Sequence, residues 1–441
     1  LASLQEVLGA SSQISSKLMD ADMSFDSILD QEGNRHELNA TNYILYQTSQ
    51  DRVLRENAFR SFYKSYKQFN HTLAQTYSTC VSAATKEAKL RHFDSSLKAS
   101  LYNDAIPQTV YDQLIETIHE YMPVMYRYVA LRKKILGVDE LHYYDLYTPL
   151  SDLEMKYDLQ QAKEMVIEAV KPMGNDYQDI VRQAFKDRWM DAYPNDGKHS
   201  GAFSSGTRTS NPFILTNFTG TLDAVSTIAH EMGHSMHTYF TSHHQEQPYA
   251  NYSLFIAEVA STVNENLLIE QLLEKETDPK KRLHLLNQYL EGFKGTIYRQ
   301  TMFAEFEKEV HAHREQGQSL TTEYLNGLYE KLVKEYFGDG LVMDPEVQYE
   351  WSRIPHFYRP FYVYVYATGY SSAVAISEKL RLGSQQDKDN YRRFLSVGSS
   401  VYPLEALKIG GVDLTSREPI RLALEKFKQI VEEAEKIVDK L

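Results

Sequence analysis

Residues 56–89 contain neither a proline nor a glycine. A run of more than about thirty residues without either breaker, built from polar and apolar helix formers, reads as helix. Helix formers likewise dominate 109–136, where Pro123 predicts a kink or break and Gly137 a stop, and 159–170, 177–192, 280–316, 322–337 and 419–441. Proline and glycine gather instead at 193–212 and around 338–345. The first of these clusters introduces the only convincing strands, 201–204 and 212–218. The fold class that follows is mainly α, with a small β-sheet ahead of the helix at 222–240.

That helix carries His230-Glu231-Met232-Gly233-His234. Leu222, Val225, Ile228, Ala229, Met232, Met236 and Phe240 mark its buried face. Thr219 or Thr221 is placed to cap it, and Asp223 falls in the first turn, where acids are favoured. Residues four apart share a helix face, so His230 and His234 can hold one tetrahedral ion. Glu231, one residue further round, can reach a water on that ion without becoming a ligand. The alternative is two satisfied core histidines on an amphipathic helix.

A zinc hydrolase needs a third protein ligand and one open position. A metzincin would have Gly at 237 and His at 240; this chain has His237 and Phe240. His237 stands about 10.5 Å from His230 along a straight axis, too far to share an ion with bonds of about 2 Å. A second helix, 252–270, offers Glu258 and Glu265 two turns apart, either of which could serve. A carboxylate on an apolar face calls for a cation, although both glutamates could also belong to a solvated stripe.

The blocks Gly201-Ala-Phe-Ser-Ser-Gly206, Asn211-Pro-Phe-Ile-Leu-Thr-Asn-Phe218, His230–His234, Ala257-Glu-Val-Ala-Ser-Thr-Val-Asn-Glu265, Ile354-Pro-His-Phe-Tyr358 and Phe361-Tyr-Val-Tyr-Val-Tyr-Ala-Thr-Gly369 occur in this order. Together they resemble the oligoendopeptidase F branch of the thimet-oligopeptidase family of zinc peptidases, over nearly the whole chain. The resemblance implies one Zn²⁺ per chain held by His230, His234 and Glu258. Glu265 then stands behind a ligand histidine, with Asp223 as a lesser candidate for such contact. It also implies two helical lobes flanking a deep substrate channel, and the proline and glycine cluster places their boundary near 195, giving lobes 1–195 and 196–441, the second catalytic. The expected activity is cleavage of internal bonds in short unstructured peptides by metal-activated water, with Glu231 as general base. His356 and two or three tyrosines, with Tyr364 and Tyr366 ahead of Tyr362, are implied as donors to the oxyanion. Close-set tyrosines, of which the chain has 32, are also common in plain packing. Ile214, Leu215 and Asn217 are expected on a strand edge that pairs with extended substrate. Arg359 reads as a surface ion pair.

With 441 residues and 42% hydrophobic against 24% charged side chains, the chain is globular. Its net charge of −13 argues against nucleic acid and anionic membrane as partners, and no obligate protein partner is evident. The single Cys80 forbids an internal disulfide, fits a reducing cytoplasmic setting and reads as a small core residue. No apolar run is long enough to span a bilayer. The opening Leu1-Ala-Ser-Leu-Gln-Glu has no signal-peptide layout and no initiator Met, so a missing N-terminal portion is expected from the resemblance. Two rival readings remain: a thermolysin-like protease acting on proteins with Glu265 as ligand, and a non-catalytic helical peptide-binding protein with a vestigial metal site.

Overall fold

The computed structural model describes residues 5–151, 153 and 155–441; the first four residues, on which the reading of the N-terminus turns, lie outside them. The chain is mainly helical with small sheets. It divides into two units that interleave in sequence. One comprises Leu1–Asn103, Ile118–Ser151 and Tyr298–Tyr364, and the other Asp104–Thr117, Asp152–Ile297 and Val365–Leu441. This is not a single cut near residue 195, because segments distant along the chain return to complete each core.

In the first unit the unbroken run at 56–89 becomes two helices, Arg52–Gln68 and Asn70–Leu90. No local breaker causes the interruption at Phe69. The side chain of buried Asn70, the first residue of the second helix, exchanges amide hydrogen bonds with Asn326 on the helix Thr322–Phe337. Pro123 leaves Gln108–Leu136 continuous. Two pairs of two-residue strands, Ile28–Leu29 with Arg35–His36 and Leu141–His142 with Leu341–Val342, were not foreseen.

In the second unit the expected helix 177–192 ends at Lys186, and Met190–Asp191 turns into a strand. The expected helix 280–316 is Pro279–Phe293 and Arg299–Glu315, joined by a wider π turn at Lys294–Tyr298 that includes Gly295. The strands expected at 201–204 and 212–218 are Phe203–Ser205 and Phe213–Leu215. The latter is the middle of three, parallel to Met190–Asp191 and antiparallel to Phe203–Ser205. This sheet packs beside the helix Leu222–His244, and the Ser204 and Ser235 hydroxyls meet at 2.8 Å.

Candidate metal centre

Leu222–His244, the motif helix, begins where the Thr221 hydroxyl accepts the Ala224 amide at 3.2 Å, satisfying one of the free N–H groups of the first turn. Val225, Ile228, Ala229, Met232 and Met236 are buried, which leaves His230 and His234 on a half-buried stripe. The glutamate helix, Leu254–Lys275, is capped by Ser253 and lies against it. At their contact a Cβ on Gly233 would stand 2.5 Å from both the Ala260 carbonyl oxygen and the Ser261 Cα. Only a residue without a side chain allows these backbones to approach so closely. Asn264 Nδ2 donates to the Ala229 carbonyl at 3.0 Å and pins the same crossing.

The crossing delivers Glu258 to the two imidazoles. Its Oε2 lies 3.4 Å from His230 Nε2 and 3.5 Å from His234 Nε2, and the two Nε2 atoms are 3.2 Å apart. Tetrahedral donors bound to one zinc at about 2.0–2.1 Å stand about 3.3–3.4 Å from each other, so the three edges match a single small ion. Among the described residues His230, His234 and Glu258 form a group able to hold a metal ion. Behind them Glu265 Oε1 meets His230 Nδ1 at 3.0 Å. That contact makes Nδ1 the donor and turns the Nε2 lone pair inward. Glu265 therefore touches the far side of the ring and is not a member of the donor set. The Ser261 hydroxyl donates to Glu258 Oε2 at 3.3 Å.

Electrostatics agree with the geometry. Burial opposes charge on His230, but Glu258 and Glu265 push its imidazole up to about 10. Hydrogen bonds from His230 and His234 hold the Glu258 carboxyl well below the usual carboxylate range. The spot between the rings is thus a seat for positive charge. Glu231 is buried, and its Oε2 has no hydrogen-bond partner in the protein. Burial raises its pKa while the imidazoles of His230 and His234 pull it back. An orphaned carboxylate oxygen of this kind is costly unless a water meets it, and one beside a metal seat suits that role. The donor set fits zinc.

A cavity of about 480 Å³ opens beside the cluster, lined by Asp223, His230, Glu258, Glu265, Tyr366 and Tyr370 among others. Tyr370 was overlooked in the sequence, though it follows Tyr366 by one helical turn and so shares its face. His237 is buried and stacks on Tyr252 with ring centroids 3.6 Å apart; as its axial spacing requires, it is no ligand. Ile214, Leu215 and Asn217 do not form a free edge. Ile214 and Leu215 are paired on both sides, and the Asn217 amide donates to the His199 and Gly201 carbonyls. Among the described strands of this sheet, Phe203–Ser205 has the outer position beside the motif helix. His356, on the turn Pro355–Tyr358, belongs to the first unit with Tyr362 and with Tyr364, the first residue of the helix Tyr364–Leu382. Arg359 lies over the Tyr362 ring, 4.0 Å from its centroid, in place of the expected ion pair.

Residues 45–426 match the model of peptidase family M3. Over its whole length the chain is 47% identical to the oligopeptidase PepF of Bacillus subtilis, spanning 66% of that protein. It is 42% identical to the group B oligopeptidase PepB of Streptococcus agalactiae, again over its whole length and 73% of the relative. The crystal structure of oligoendopeptidase-F from Enterococcus faecium superimposes with a TM-score of 0.84 at 39% identity, covering all of this chain and 74% of the other. The chain thus spans about two thirds to three quarters of the relatives it matches.

Proposed function

Since the chain belongs to peptidase family M3, we propose that it is a zinc-dependent oligoendopeptidase that hydrolyses internal bonds of short unstructured peptides. The observation that carries this reading is the convergence of His230, His234 and Glu258 on one point, with a buried carboxylate, Glu231, that feels the charges of all three and has one oxygen without a hydrogen-bond partner in the protein. His230, His234 and Glu258 would hold a zinc ion, which when bound would supply Lewis acidity toward the carbonyl and lower the pKa of water. Glu231 takes the proton of the attacking water at its free oxygen and returns it to the departing amine. Glu265 keeps the His230 ring in the tautomer that leaves Nε2 unprotonated, and Ser261 steadies Glu258.

Tyr366, on the cavity wall, donates a hydrogen bond to the developing oxyanion. His356, with Tyr364 and Tyr362, is assigned to the same task from the resemblance of its segment to the family pattern. An extended substrate pairs with the outer strand Phe203–Ser205 rather than with Ile214, Leu215 and Asn217. Short substrates fit the printed names of the relatives, oligopeptidases and oligoendopeptidases. The lone Cys80 suits a reducing cytoplasm, and no helix of the described residues is long and apolar enough to cross a membrane.

The test is metal content measured together with cleavage of a quenched short peptide, with and without a chelator. Glu231→Gln should retain the metal yet lose at least about 10²-fold in kcat, the scale of general-base catalysis. Full activity after complete removal of metal would refute the scheme. Full activity in Glu231→Gln would favour a peptide-binding protein whose hydrolysis comes from a contaminant.

A further inference from the structure

The first unit holds a buried acid that the metal chemistry does not use. Glu307, on Arg299–Glu315, is fully buried. Its Oε1 accepts the Phe361 amide at 2.9 Å, while Oε2 has no partner. Phe361 holds a φ of +57°, a left-handed conformation that is strained for a bulky residue. Its buried ring packs on His311 with centroids 4.4 Å apart, and the Ser96 hydroxyl meets His311 Nδ1 at 2.9 Å. The same segment is also held by Ser100 on the Pro360 carbonyl at 3.3 Å, Thr76 on the Tyr358 hydroxyl at 2.7 Å, and Cys80 Sγ 3.8 Å from the Tyr358 carbonyl.

A buried carboxyl with one backbone donor is a poor way to fill space. Burial drives its pKa well above the ordinary range, and an apolar side chain of similar volume avoids that cost. What the carboxyl supplies, and an apolar residue cannot, is an acceptor for the Phe361 amide within the left-handed turn. The turn lies between His356 and Tyr364, so its shape sets how both side chains are carried.

We infer that Glu307 is the positioning residue of the His356–Tyr364 segment: its buried oxygen holds the Phe361 amide and locks the left-handed turn that aims the oxyanion donors. The inference rests on the proposed role of that segment.

Four variants test it, each measured for metal content, thermal midpoint, kcat and KM on a quenched peptide. Glu307→Met should keep the metal and keep or raise the midpoint, yet lose about 10- to 100-fold in kcat with KM within about 3-fold, as misplaced catalytic groups do. Glu307→Gln retains a carbonyl acceptor and should keep kcat within about 3-fold of the parent. Glu307→Asp draws the oxygen back by one methylene and should lose kcat as Met does, which covers the case in which the Met variant fails to fold. Amide exchange across 358–363 should rise in Met and Asp but not in Gln. Parental kcat in either Met or Asp overturns the inference, as does activity that follows the midpoint in all three. His356→Ala is the fourth. If it keeps kcat, the reading of the segment falls and takes the inference with it. If it loses kcat while Met and Asp do not, only the role of Glu307 falls.

Discussion

Both ring nitrogens of His237 are buried and without a hydrogen-bond partner, and burial pushes its pKa down to about 3 from 6.5. Between those values the folded chain binds fewer protons than the unfolded one at this position. Unfolding then takes up a proton, and stability falls as the pH falls, by up to about 1.4 kcal/mol per unit. His237→Phe keeps the stacked ring and removes the titrating group. It should gain about 1–2 kcal/mol at neutral pH and show a shallower acid limb, read from urea midpoints at pH 7, 5 and 4. An unchanged limb would mean that water reaches the imidazole. The same helix gives His230 the opposite electrostatics, and the difference lies in Glu258 and Glu265 of the neighbouring helix rather than in the local sequence.

At the scale of elements, the crossing of the motif and glutamate helices stands on Gly233. Gly233→Ala drives a methyl group into the Ala260–Ser261 backbone. It should cost about 1–3 kcal/mol and weaken zinc binding by at least about tenfold as Glu258 moves away from the imidazoles, measured by competition with a chelating dye. Parental affinity would show that the contact tolerates a side chain. The ligand spacing on the motif helix was legible because it depends only on helical periodicity. The choice between Glu258 and Glu265 was not, since both occupy one face and only the crossing decides which carboxylate meets Nε2 and which meets Nδ1. Long helices were legible from the lack of breakers. The interruption at Phe69 was not, because no local breaker marks it, whereas Gly292 and Gly295 stand beside and within the widened turn 294–298 and would have warned of it. Two-residue strands leave no alternation to read, and the run 212–218 could not reveal that Met190–Asp191 takes its second side. That missing partner is why the strand expected to offer a free edge is paired on both sides.

At the scale of the molecule, the backbone passes between the two units five times, so neither is a contiguous piece of sequence. Fragments 1–195 and 196–441, the lobes that the sequence suggested, each lack part of both cores. Expressed separately they should show no cooperative thermal unfolding by near-ultraviolet circular dichroism, whereas the intact chain should. A sharp transition in 196–441 alone would restore a linear division. The donors that would grip the ion all lie within the second unit, on two helices whose main chains touch. The width of the cage is therefore dictated by a backbone contact that cannot stretch in small increments. Calcium, which prefers six or more oxygens at about 2.3–2.6 Å, would have to prise the two helices apart to be accommodated. Discrimination against larger ions would in this way be encoded by Gly233, which is not among the donors.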